Sequence, residues 1–101
     1  MMILKVVGTD VQVLEEIAQL LIDEKLIAVA TIEGPAKFYS ANSATAERHV
    51  LSGISKSLLF RTINEVLRKK YGEKMPLLYS EPIIMLDPDH TEKILAALVK
   101  T

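Results

Sequence analysis

The sequence predicts an α+β fold, a ferredoxin-like βαββαβ sandwich with an antiparallel sheet and one extra C-terminal helix. Three observations predict it. A chain of 101 residues suits one domain, 1–101, and leaves little room for a second. Half of the residues are hydrophobic, which is enough for a packed core and argues against disorder. Short apolar runs alternate with stretches of helical period in the order strand, helix, strand, strand, helix, strand, helix.

The first strand runs from Ile3 to Gly8, before a polar break at Thr9-Asp10. Asp10 suits a helix N-cap, and Glu15 and Glu16 sit near the positive helix end. Leu14, Ile17, Ala18 and Leu21 then recur at helical spacing, which predicts a helix over Val11 to Lys25. The run from Leu26 to Ile32 has too little polarity for an exposed helix and reads as a buried strand. Gly34-Pro35 interrupts it, since proline cannot donate to a ladder, and Lys37-Phe38-Tyr39 resumes it. Small polar residues from Ser40 to Ala46 read as a hairpin tip, and His49 to Ser55 as the returning strand, weakened by Gly53.

Ser55 or Ser57 caps the second helix in this reading, with Leu58, Leu59, Ile63, Val66 and Leu67 on its apolar face. Arg68-Lys69-Lys70 suit its negative end, and Tyr71-Gly72 closes it. Leu77 to Leu86 is the last strand region, with Pro82 pointing to a sheet edge or bulge. Asp89-His90-Thr91-Glu92 resembles a capping box, and Ile94, Leu95, Leu98 and Val99 follow on one face. The strand runs lack strict alternation, which suggests that both sheet faces are covered. Two long helices cover one face only, so the other is expected to meet a second copy.

Composition excludes several functions. Net charge is −1, so no broad basic surface favours nucleic acid, and with no Trp a base-stacking platform is not expected either. Cysteine is absent, which removes disulfides, thiolate nucleophiles and Cys-based zinc sites. The opening Met1-to-Val7 run is too short to span a membrane and lacks a signal-peptide layout, so no membrane contact and a cytoplasmic location are expected. No Gly-x-Ser-x-Gly elbow, phosphate-binding Gly-rich loop or His-Glu-x-x-His motif occurs, and the chain reads as a binding protein, not an enzyme.

The order of elements and several segments together resemble the CutA family of divalent-cation-tolerance proteins. Thr9 ends a first strand before a capped helix, as in that family. Leu26-Ile27-Ala28-Val29-Ala30-Thr31-Ile32 resembles its Leu-Ala-Ala-Cys-Val-Asn-Ile strand. Gly34 with Phe38-Tyr39 resembles its Gly-…-Ile-Tyr segment, and Ile54-Ser55-Lys56-Ser57 the Ile-Lys-Thr end of its third strand. Met75-Pro76 and Glu81-Pro82-Ile83 are similar to its Val-Pro-Glu-…-Leu-Pro-Val strand, with both prolines in register. The departures matter. The family's cysteine is Val29 or Ala30, its Trp is replaced by Ser40-Ala41, its acidic stretch shrinks to Glu47, and its His-Pro-Tyr segment is Tyr71-Gly72-Glu73. The resemblance therefore implies the fold and a homotrimer more than it implies copper or another divalent metal.

Each candidate site residue has a plainer role to set beside the functional one. His49 is a possible metal ligand but reads as a strand-end surface histidine, having no partner at ligand spacing. His90 stands beside Asp87, Asp89 and Glu92, where helix capping explains the acids. Lys56, between Ser55 and Ser57 at a strand-to-helix handover, is either a solvated lysine or the cation of an anion site. Thr9 and Asp10 occupy the corresponding handover after the first strand, and the two turns are expected at the same end of the sheet. Thr9, Asp10, Lys56 and Ser57, with Tyr39 closing from a neighbouring subunit, form the expected site for a small anionic or carboxylate-bearing ligand. The leading functional expectation is a CutA-like homotrimer linked to metal-ion tolerance or to small-ligand sensing in intersubunit clefts. Alternatives are a PII-like trimeric regulator that binds a nucleotide or metabolite and signals to a protein partner, and a structural scaffold.

Overall fold

The computed structural model describes residues 1–42 and 44–100; Ser43, within the predicted hairpin tip, and Thr101 lie outside the described residues. The elements follow the expected order: β1 (Met2–Gly8), α1 (Val11–Asp23), β2 (Val29–Phe38), β3 (Ala46–Ser55), α2 (Phe60–Tyr71), β4 (Leu77–Pro82) and α3 (Pro88–Ala97). The four strands form one antiparallel sheet in the order β2-β3-β1-β4, so β2 and β4 are its edges.

Alternation along β1 and β3 turns Met2, Leu4, Val6, Leu51 and Ser55 towards the helices, where all are buried. Leu14, Ile17 and Leu21 of α1 and Ile63 and Leu67 of α2 meet them, at the spacing that keeps one helix face inward. Buried apolar surface of this kind is the main favourable term in folding.

Several boundaries differ from the sequence reading, each for a local reason. Helix α1 stops at Asp23, because Lys25 adopts a left-handed φ of 59° and the Leu26 amide turns back to the Leu21 carbonyl. Leu26 and Ile27 are buried in that turn and not in a strand; the ladder starts at Val29. The Gly34-Pro35 interruption proves to be a register shift between Glu33 and Ala36, across which β2 continues. Strand β3 begins at Ala46, three residues earlier than His49. Ser55 does not cap α2: it is fully buried and its Oγ donates to the Leu26 carbonyl at 2.6 Å. A 3-10 turn over Ser57–Leu59 leads into α2 without a side-chain cap and leaves Leu58 78% exposed.

Strand β4 ends at Pro82, which lies on the sheet edge, and the predicted extension to Leu86 does not form. One further bond joins the Ile83 amide to the Met1 carbonyl; beyond it Ile84 is 91% and Met85 89% exposed. The cap of α3 is Asp87 and not Asp89: its carboxylate accepts from the His90 amide, and Pro88 takes the first helical position. The end of α3 is tied back where the Val99 amide donates to the Lys25 carbonyl at 2.8 Å.

Candidate functional site

Antiparallel pairing brings the end of β1 beside the starts of β3 and β4: Gly8 faces His49, and Val7 faces Leu77. At this end a cleft of about 700 Å³ opens between the β1–α1 turn and the β2–β3 hairpin. Its floor is apolar, with Val7 from β1, Val13 and Leu14 from α1, and Pro76 and Leu77 at the start of β4. Phe38 and Tyr39 bound it from the end of β2, where Tyr39 is 80% exposed. Thr9 and Asp10 lie in the turn, and the Asp10 carboxylate caps α1 by accepting from the Gln12 amide at 2.9 Å. Two cations complete the wall, Arg48 on β3 and Lys74 just before β4. The cleft thus joins an apolar floor to a mainly cationic rim.

The expected five-residue site divides. Thr9, Asp10 and Tyr39 line this cleft, and Tyr39 does so from the same chain. Lys56 and Ser57 are at the other end of the sheet, since β3 runs opposite to β1 and Ser55 pairs with Met2. There the Lys56 ammonium donates to the Val99 carbonyl at 2.8 Å, so it ties down the segment that follows α3. The expectation that both handovers share one end fails because β–helix turns on antiparallel neighbours must point opposite ways. Sequence reasoning misses Arg48 and Lys74. The signal was present: basic residues at or just before the starts of apolar strands that begin where β1 ends.

No protein-family model matches the chain, and no curated protein matches it significantly. Solved structures do. CutA1 from Pyrococcus horikoshii superposes with a TM-score of 0.84 at 15% identity, covering 99% of this chain and 100% of that one. The divalent cation tolerance protein CutA1 from Thermus thermophilus gives 0.84 at 16% identity, covering 98% and 100%. The periplasmic divalent cation tolerance protein CutA from Archaeoglobus fulgidus gives 0.81 at 17% identity, covering 96% and 98%. The chain has the CutA1 fold.

On this CutA1 fold neither His49 nor His90 stands in a cluster of metal-ligating side chains among the described residues. Among the described residues no group of three or more His, Asp or Glu side chains is placed to hold an ion. His90 is exposed at the start of α3, where its Nδ1 lies 2.8 Å from the Asp87 carboxylate. That carboxyl is held below its usual range, first by the backbone amide of His90 and then by its ring. His49 is half-buried instead of surface-lying, two residues before buried Leu51 on the helix-covered side, and its Nδ1 has no hydrogen-bond partner. The cleft offers a single carboxylate, already used as a helix cap. Hard cations want several oxygen ligands and softer ones want imidazole or thiolate clusters, so these residues do not fit a resident divalent ion. Among the described residues, no helix is long and apolar enough to cross a membrane.

Proposed function

We propose that this chain is a CutA-like protein that works by assembly and binding: a homotrimer whose clefts at the β1–α1 turn take a small ligand, in a role linked to divalent-cation tolerance. The observation that carries this reading is the superposition on CutA1 structures over essentially the whole chain. Two features of the chain support it. The cleft joins residues from β1, α1, β2, β3 and β4, so a bound molecule would be read by the whole sheet end. Leu77 and Tyr79 on the β4 edge strand are exposed, as are Ile84 and Met85 beyond it, apolar surface beside an open edge that a second and third copy would cover.

The PII-like reading has less support, because the hairpin tip between Phe38 and Ala46 is short and the cleft lacks a Gly-rich phosphate cradle. Light scattering coupled to size exclusion at low micromolar concentration tests the assembly, with three subunits expected. A stable monomer overturns it. Thermal-shift screening of the tag-free protein with metabolites, nucleotides and divalent metals tests the binding role. A panel in which no compound raises Tm overturns that role.

A further inference from the structure

The cleft also carries information about the class of its ligand, and the inference rests on the binding role just proposed. Arg48 and Lys74 against the one carboxylate of Asp10 leave the rim with a net charge of +1. The Asp10 charge is further offset, since it accepts from the Gln12 amide at the positive end of α1. One surplus positive charge matches one negative charge on a ligand. It does not match the three or four of a nucleoside triphosphate, and no Gly-rich run supplies amides to share that load.

The floor sets a second condition. Val7 and Leu14 are buried, and Val13, Phe38, Pro76 and Leu77 present carbon to the cleft. A small hydrated anion such as acetate would leave that carbon in water. A ligand that gains affinity here places an apolar body on the floor and its charge at the rim. Arg48 suits the anchor role: it is half-buried on β3, opposite Ala36 in the hairpin, and its planar fork reads a carboxylate by two parallel bonds. Lys74 is exposed and contributes a point charge at the mouth.

We infer that the cleft binds an organic monoanion, a carboxylate carried on an apolar or aromatic body, with Arg48 as its specificity-determining residue. Isothermal titration and amide NMR on the intact chain test this with benzoate, benzyl alcohol, acetate and ATP. Benzoate is expected to shift the Gly8, Thr9 and Arg48 amides and to bind at least tenfold more tightly than benzyl alcohol or acetate. Arg48→Gln should weaken benzoate by roughly tenfold or more, as the loss of a charge-assisted bond does, while leaving benzyl alcohol unchanged. Lys74→Gln should weaken benzoate less. Lys56→Ala, at the opposite end of the sheet, should leave it unchanged. If benzyl alcohol binds as tightly as benzoate, or ATP alone moves these amides, the ligand class is wrong while the cleft remains a binding site. If no probe moves them, the binding role falls together with the inference. Because Arg48→Gln alters a strand residue, its amide spectrum away from the cleft must overlay the parent's; if it does not, Lys74→Gln decides, and an undiminished benzoate affinity there overturns the proposal.

Discussion

Ser55 ends β3 with its side chain fully buried, and its hydroxyl donates to the Leu26 carbonyl at 2.6 Å. Leu26 lies in the turn that leaves α1, so this one bond ties the exit of the first helix to the end of the third strand. Ser55→Ala keeps the backbone and removes the donor. The net loss of a hydrogen bond is about 1 kcal/mol, and a buried carbonyl left without its partner raises the cost to about 1–3 kcal/mol. At this chain length each kcal/mol moves Tm by roughly 4–8 °C, so a loss of about 2 kcal/mol lowers Tm by roughly 8–16 °C. Scanning calorimetry at one fixed protein concentration measures it, because assembly makes Tm depend on concentration. Ser57→Ala is the matched control: Ser57 is exposed and opens a 3-10 turn with no side-chain cap, so its removal should change stability by less than about 0.5 kcal/mol. Equal Tm values for the two variants would refute the reasoning and show that the buried Ser55–Leu26 bond adds nothing to stability.

Gly34→Ala should be destabilising by about 1–3 kcal/mol in urea melts. Gly34 has a φ of 140°, and an added Cβ would meet His49 Cδ2 at 2.9 Å and the Arg48 carbonyl at 3.0 Å; an unchanged midpoint would contradict that geometry. Asp87 has its carboxyl lowered in the folded state, so its contribution to the start of α3 is present above the ordinary carboxylate range and lost as pH falls through the lowered value. Amide protection at His90 should therefore fall on acidification in the parent and be insensitive to pH in Asp87→Asn, once intrinsic exchange rates are divided out; parallel pH profiles would sink the idea. Copper titration of the tag-free protein should show no tight stoichiometric site, given the scattered histidines and the absence of cysteine. Ile84→Asp should shift the proposed trimer towards monomer in sedimentation velocity, whereas Thr31→Asp, on the open face in the row of Ser52 and Lys5, should not; the reverse order would place the interface on the flat of the sheet.

Periodicity makes the core legible. Spacing alone places Leu14, Ile17, Leu21, Ile63 and Leu67 on inward faces, and all are buried. Asp10 is legible as a cap because capping chemistry is local. What fails is non-local. Ser55 reads as a helix cap because nothing nearby in sequence announces a partner 29 residues away. Lys25 carries no glycine signal for its left-handed turn, so the helix reads two residues too long. The split of the candidate site is legible in principle, since βαββαβ order on an antiparallel sheet already fixes the two β–helix turns at opposite ends. Once the register is applied, the basic residues beside Thr9 are Arg48 and Lys74, and Lys56 belongs with the segment after α3.

The open face of the sheet is banded, and the bands bear on how copies would meet. One row across the strands reads Val29, Ile54, Ile3 and Glu81; the next reads Thr31, Ser52, Lys5 and Tyr79; the third reads Glu33, Val50, Val7 and Leu77. Lys5 therefore stands in the middle of the face between two largely apolar rows, and among the described residues it has no ion pair. A partner laid flat over all three rows would bury that ammonium, which costs several kcal/mol unless an anion is supplied. Lys5, Ser52 and Glu33 share a shallow groove, a place where water or the Glu33 carboxylate can serve that need. The apolar surface without such a penalty lies at the β4 edge, where Leu77 is 61% exposed and the chain runs on through Ile84 and Met85. Leu77 also belongs to the floor of the cleft. Assembly through this edge would place a neighbour beside the ligand's apolar body, so that occupancy of the cleft and contact between copies would depend on the same residue.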